Sequence, residues 1–417
     1  MSDTPKTSAE ETKADAKKKD SFSLKNRIIW TVVFIVIAAL SVWAGVAQSG
    51  SCSFKSFFEF VKGSNPWWLL SATLSMLGFI IFEGIALIYV CRAMGYKTGF
   101  KGGFVYSAAD IYVSAITPSA TGGQPASAYF MIKDGLPGTV VTAALICNLV
   151  MYTSAIVVMG GFAVLVNPTA FFGFGTVSKI LIIAGIVTQL ALLSFFIMLL
   201  TKKGLMQKLC AGFVKLLGKL HIIRKVDKTL AKLQKKMDEY SEKTDLLKGK
   251  GKLLLVVFIF NLLQRISQVA VTPLTYLASG GELKKAFDVF ITQIYVLMGA
   301  NCVPIPGAVG VTDYLMLDGF QMMGIENYEF LELFSRFLSF YMCIIICGIT
   351  LLFSCISYSD KRRNRKLEVK KYDRNLRLYG CFNLPFSAFG RNGNSGITKW
   401  SRTSLFRYIL FAVLRSL

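Results

Sequence analysis

Histidine is nearly absent from this chain, with one residue in 417. The nine cysteines lie mostly inside or beside apolar runs, and no two form a CxxC pair. A zinc site, a haem attachment site and a disulfide framework therefore have no support, and no metal or cofactor is expected. Missing too are HExxH, GxSxG, a Walker A loop and a dinucleotide fingerprint, so the common hydrolase, NTPase and dehydrogenase chemistries have no anchor, and no catalytic residue is assigned. Acidic residues are scarce, 24 against 47 lysines and arginines, which leaves a net charge of +23.

A charge of that size suits nucleic acid, but its distribution argues against it. Fifteen Lys/Arg fall in Lys202–Lys252 and nine in Lys361–Arg377, and both blocks flank apolar segments. Basic loops beside membrane helices follow the positive-inside rule and attract anionic headgroups. No nucleic-acid partner is expected. Within Lys202–Lys252, Val214, Leu217, Leu220, Val226, Leu230, Leu233 and Met237 recur among the lysines, the pattern of a cytoplasmic amphipathic insert lying on headgroups.

What the chain has in abundance is apolar length. Hydrophobic residues make up 53% of it, 33 of them Phe, and the mean hydropathy is +0.52. A hydrocarbon core about 30 Å thick needs roughly 20 apolar helical residues. Ile28–Ala47, Trp67–Cys91, Thr139–Val166, Ile180–Leu200 and Phe337–Ser359 reach that length, and Leu253–Ser279 does so while carrying Arg265. The fold class is therefore all-α, a polytopic integral membrane protein with about six full spans. The first run lacks a small-residue cleavage pattern and reads as retained. Residues 1–27 are polar and read as a disordered cytoplasmic tail. Residues 28–359 form the membrane domain, and 360–417 a basic cytoplasmic tail with an interfacial helix in Trp400–Leu417. With both termini cytoplasmic, the basic blocks fall inside, and Glu326, Glu329 and Glu332 fall outside.

Two further apolar segments are too short to cross. Phe104–Ile116 runs into Thr-Pro-Ser-Ala-Thr-Gly-Gly-Gln-Pro, and Ala286–Ala300 runs into Asn301-Cys-Val-Pro-Ile-Pro-Gly before the stretch Ala308–Ile325. They align as DIYVSAITPSATGGQPASAYFMIKDG and QIYVLMGANCVPIPGAVGVTDYLMLDG, with one residue inserted. Three crossings separate the copies, and an odd number makes them opposite in orientation. The expectation is two re-entrant broken-helix hairpins in an inverted repeat, the layout of a transport site near the midplane. Pro118, Pro125, Pro304 and Pro306 break the backbone ladder, while Gly122, Gly123, Gly307 and Gly310 permit tight turns. Freed carbonyls and N–H groups at depth cost several kcal/mol each unless a cavity, the protein or a ligand satisfies them. The half-helix N-termini near Gln124 and Gly307 would offer partial positive charge to a phosphate. Packing of kinked helices through the glycines is the competing reading.

Four charged residues fall at membrane depth, namely Glu83, Asp110, Arg265 and Asp313. A central charge costs about 2.5–3.5 kcal/mol on insertion scales, so each should face a cavity or a partner. Arg265 is the candidate for a phosphate headgroup, and Glu83, Asp110 or Asp313 pairs with it or holds a cationic headgroup. Thr117 and Gln124, at the first break, complete the candidate headgroup site. Asn148, Tyr152, Asn261, Gln264, Gln268 and Gln293 read as interhelical contacts.

The stretch TPSATGGQPASAYFMIKDG at Thr117–Gly135, followed by P-x-P-G-x-x-G at Pro304–Gly310, resembles the lysylphosphatidylglycerol synthase transmembrane region, which includes the flippase half of the multiple peptide resistance factor. The likeness spans roughly Ile28 to Ser359. The family commonly carries Gly where Ala308 stands and Glu where Asp313 stands. The resemblance implies translocation of phosphatidylglycerol or its lysyl derivative across the bacterial cytoplasmic membrane, with resistance to cationic peptides. The acyltransferase domain of the full-length relatives is not expected, because 360–417 is shorter than such a domain. Membrane phospholipid is thus the expected partner, with homo-oligomerisation and a separate synthase partner left open. A secondary transporter of a small polar solute, the membrane subunit of a lysyltransferase system and a scaffold are the alternatives.

Overall fold

The structure, a computed structural model, describes residues 54–117, 120–201, 208, 211–212 and 250–358. The tail 1–27, the run Ile28–Ala47, Pro118, nearly all of Lys202–Lys252 and the tail 360–417 lie outside the described residues. Every regular element among the described residues is helical. In order these are α1 (Phe54–Gly63), α2 (Pro66–Ala93), α3 (Phe100–Ile116), α4 (Gly123–Lys133), α5 (Gly138–Val166), α6 (Pro168–Gly173), α7 (Thr176–Thr201), α8 (Gly251–Ala278), α9 (Leu283–Ala300) and α10 (Val311–Met322). The last, α11, begins at Tyr328 and passes through a π-helical turn at Phe337–Met342 to end at Tyr358.

Five of these helices are long and apolar enough to cross a membrane, namely α2, α5, α7, α8 and α11. The protein is a multi-pass membrane protein. Large apolar side chains such as Leu165, Val187 and Phe353 point outward from the spans, as they must where the solvent is lipid. Trp67 and Trp68 stand exposed at the start of α2, where Asn65 caps the helix and Pro66 fills a first-turn position that needs no donor.

Helices α2 and α8 pack along their length, antiparallel. The Asn65 N–H donates to Ala278 O at 2.7 Å, Ser75 Oγ to Ser267 O at 2.9 Å, and Lys250 Nζ to Ala93 O at 2.7 Å. Each of the two is followed by a helical hairpin and then by a further span. In the first half these are α3–α4 and α5, and in the second α9–α10 and α11. Because α2 and α8 run in opposite directions, the hairpins enter from opposite faces, which gives the inverted repeat by geometry. Antiparallel return within the second hairpin is fixed by Gly299 against Leu315 and Gly319 against Thr292. In the first, Tyr106 OH donates to Asp134 Oδ2 at 2.6 Å, tying the base of α3 to the end of α4. The second hairpin's tip, Pro306–Ala308, packs against α3, so the two breaks approach one another inside the bundle.

The core is divided into three clusters. One cluster holds Leu87, Tyr106, Met131 and Ala144, a second holds Ile156, Tyr295, Leu315 and Phe320, and a third, with Met76, Ile80, Val271, Phe334 and Cys347, joins the halves. The close approach of α2 and α3 needs glycine. A Cβ on Gly103 would lie 2.6 Å from Gly84 O, and one on Gly84 would lie 2.8 Å from Gly103 O. Gly103→Val is therefore expected to part these helices. Overpacking costs about 1–3 kcal/mol, and more when backbone is the obstacle. The check is the melting temperature and monodisperse yield of detergent-extracted protein, both of which fall.

Two expectations are corrected. The last span begins at Tyr328 rather than at Phe337, because Glu332 and Arg336 run inside it. Glu332, expected in the loop before that span, is 6% exposed and lies in the span's first turns. A hydropathy reading stops at charges that the fold pairs and buries. The short segments are also longer at their N-terminal ends, starting at Phe100 and Leu283, where lysines lead each helix into the bilayer.

Candidate functional site

Four elements bring polar side chains to the seam between the halves. Glu83 projects from α2, Asp110 from α3, Gln124 from the first turn of α4, and Gln264 and Arg265 from α8. Glu83 is 4% and Arg265 4% exposed. Ser107, one turn before Asp110 on α3, meets Glu83, which sets the Glu83 and Asp110 carboxyl groups side by side. Gln264 Nε2 donates to Glu83 Oε2 at 3.0 Å. Gln124 Nε2 donates to Asp110 Oδ2 at 2.7 Å, and Ser114 Oγ to Asp110 Oδ1 at 3.2 Å. Ser107 Oγ lies 2.8 Å from Ile80 O and 3.1 Å from Glu83 Oε2.

Arg265 is placed differently. Its guanidinium lies over the Tyr152 ring, 3.8 Å from the centroid, with Phe79 at 5.6 Å. One Nη donates to Gln268 Oε1. Among the described residues no carboxylate comes within 4.0 Å of it, and its Nε has no hydrogen-bond partner. A buried guanidinium in a fixed fork with a free donor is suited to a phosphate or carboxylate. On the preceding residue, the acceptor Oε1 of Gln264 is likewise buried without a partner.

The first break is self-supporting. Thr117 Oγ1 donates to Val113 O at 2.7 Å and accepts from the Gly122 N–H at 3.0 Å. Gly123 has no room for a side chain, since a Cβ would run into the Asp110 carboxylate and Ser114 Oγ. Thus Asp110 faces the N-terminus of α4. Pro125 sits in the first turn of that helix, where its missing N–H costs nothing.

The second break is organised by its own charges. Pro306 opens the 3₁₀ turn, Gly307 takes φ +61° and Gly310 φ +82°. Ala308 takes φ +48°, a left-handed backbone that glycine accepts more easily. Helix α10 starts at Val311 rather than beside Gly307. Asp313 Oδ2 accepts from the Gly310 N–H at 2.7 Å and Asp313 Oδ1 lies 2.6 Å from Arg336 Nε. Arg336 also lies over the Phe340 ring at 4.7 Å, and that ring packs against Gly307. Glu332, one turn before Arg336 on the same helix face, is buried in the same cluster. Both half-helix N-termini therefore face a carboxylate of the protein itself, Asp110 at α4 and Asp313 at α10.

The structure brings together Glu83, Asp110, Gln124 and Arg265, with Thr117 capping the C-terminal end of Asp110's helix. Asp313 is not in that group, because Arg336 holds it. Arg336, and Glu332 as a buried residue of the second break, escaped the sequence reading. Their spacing of four residues puts them on one helix face, and that spacing was the available signal.

An antiparallel pair of central helices, each followed by a re-entrant hairpin, with a buried charged seam between the halves, defines the class, a multi-pass membrane protein of the inverted-hairpin kind. Residues 28–347 match the family of the lysylphosphatidylglycerol synthase TM region, and the chain belongs to that family. Its function is thus a membrane one related to lipid. Neither the curated proteins nor the solved structures offer a match.

Proposed function

We propose that the protein moves phospholipid, phosphatidylglycerol or its aminoacylated derivative, between the leaflets of the bacterial cytoplasmic membrane, and so contributes to resistance against cationic peptides. One observation carries the reading: the buried, carboxylate-free guanidinium of Arg265, with its unpartnered Nε, at the seam of two inverted hairpins. Arg265 receives the headgroup phosphate. Thr117 and Gln124 border it from the first break, Asp313 holds the second hairpin in shape, and Glu83 and Asp110 set the charge of the pocket. The motif residues Gly122, Gly123, Pro125, Pro304, Pro306, Gly307 and Gly310 keep the breaks open.

The face that carries Ala93 and Lys250 is assigned to the cytoplasm. Arg92, Lys97 and Lys101 gather there, together with the end of the basic block that Lys250 anchors to Ala93, in accord with the positive-inside rule. The membrane domain is taken as 28–359, between the two tails.

Reconstitution into liposomes with headgroup-labelled phosphatidylglycerol or lysyl-phosphatidylglycerol tests the proposal. Transbilayer movement faster than in protein-free vesicles is the expected result for at least one of them. Equal rates with and without protein would remove the reading.

A further inference from the structure

Glu83 and Asp110 have more hydrogen-bonding capacity around them than two ionised carboxylates can use. Two buried carboxyls side by side, 4% and 8% exposed with Ser107 of α3 between their helices, repel when both are ionised, so the pair is taken to rest with one shared proton. Its surroundings also accept a second. Ser107 has one hydroxyl proton and two acceptors in reach, Ile80 O and Glu83 Oε2. With that proton on Ile80 O, the hydroxyl lone pair can take an O–H from protonated Glu83. Gln264, 1% exposed, presents an unpartnered Oε1 next to its contact with Glu83. An orphaned acceptor beside a carboxyl is what a carboxylic acid's O–H, or a water delivering a proton, requires.

The other groups facing the pair are few. Helix α8 brings the Arg265 charge, α5 the Tyr152 phenol, α11 the Cys347 thiol and α4 the neutral Gln124. With one shared proton the pair bears a single negative charge, which balances Arg265 and leaves the seam neutral. An anionic phosphate arriving at Arg265 would add a second negative charge to a buried site, at a cost of several kcal/mol. A second proton on the pair cancels it.

We infer that Glu83 and Asp110 form a proton-binding site that couples the uptake of one proton to the entry of one anionic headgroup, a step that rests on the lipid-transport reading above. On the loading side a proton from water forms an O–H bond at a carboxylate oxygen as the phosphate docks. On the far side the phosphate leaves and the same proton returns to water. The cycle moves no net charge. A lysyl headgroup, which brings its own positive charge, needs no second proton.

The test uses the full chain in proteoliposomes, with the membrane potential clamped by potassium and valinomycin, a trapped pH dye and headgroup-labelled phosphatidylglycerol. Acidifying the loading side is expected to raise the initial transfer rate, by about tenfold per pH unit while proton uptake limits it. Lipid movement should carry protons that the dye records, and lysyl-phosphatidylglycerol should show neither effect. Asp110→Asn is expected to lose the dependence on the gradient. Transfer above the protein-free rate that ignores the gradient and moves no protons overturns the coupling while leaving the transport reading intact. Absence of transfer under every condition overturns both. If Asp110→Asn is not recovered folded, the wild-type comparison between gradient and no gradient decides alone.

Discussion

Arg265→Met should lower phosphatidylglycerol transfer by about 10- to 100-fold, the equivalent of about 1.5–3 kcal/mol for a lost charge-assisted contact, while leaving the protein as heat-stable as before or more so. The sign of the second effect distinguishes a ligand site from a structural ion pair. Arg265 is buried against Tyr152 and Phe79, bonds to a neutral amide and has no carboxylate in ion-pair reach among the described residues. A buried charge without a carboxylate in contact costs folding free energy, and methionine fills its volume without that cost, the nearby Glu83 and Asp110 pair taking up a second proton in place of the lost charge. Activity held at the expense of stability is the usual signature of a functional site. The measurement is a melting curve in detergent beside a liposome transfer assay on the same preparation. A large fall in melting temperature would mean that Arg265 holds the bundle together and would remove it as the headgroup contact. Arg265→Lys keeps the charge and loses the fork, so intermediate transfer is expected.

The seam also explains why part of this fold could be read from the chain and part could not. Spans such as Gly138–Val166 announce themselves by length and apolarity, and the breaks by the Pro/Gly runs at Thr117–Pro125 and Pro304–Gly310. Their inverted relation followed from counting crossings, and the α2–α8 contacts from Asn65 to Ala278 and from Ala93 to Lys250 bear it out. Pairing among charges was not legible. The sequence shows four charges at depth, but only the packing of α10 on α11 makes Arg336 the partner of Asp313 and leaves Arg265 to the amides and Tyr152. The hairpin tips were half legible. Prolines mark where a ladder must break, but the carboxylate that faces the start of α4 comes from α3, at a separation that no local pattern encodes. The one at α10 is that helix's own third residue, a capping position three after Gly310 that the sequence does offer. The π turn at Phe337–Met342 follows directly on Arg336 and brings Phe340 under Gly307. It has no sequence signature, and π turns commonly mark functional positions.

Arg336 presents the opposite case to Arg265, and the contrast yields the largest stability effect expected in the molecule. Its guanidinium meets Asp313 at 2.6 Å, with side-chain exposures of 8% and 11%, and Asp313 in turn holds the Gly310 N–H at the start of α10. Arg336→Met strands the Asp313 and Glu332 carboxyls together in the bundle. Breaking one side of a buried pair costs about 3–5 kcal/mol, and a marginally stable domain has only about 5–15 kcal/mol in all. The variant should therefore be poorly recovered from membranes, or melt far below the parent. Adding Asp313→Asn removes the stranded charge while an amide oxygen can still accept from Gly310, so the double variant should regain much of the loss. Recovery in the double variant identifies the pair as an internal brace of the second hairpin. A double variant no better than Arg336→Met would show that Arg336 acts through its stacking on Phe340, and hence through the π turn that seats Gly307, rather than through its charge.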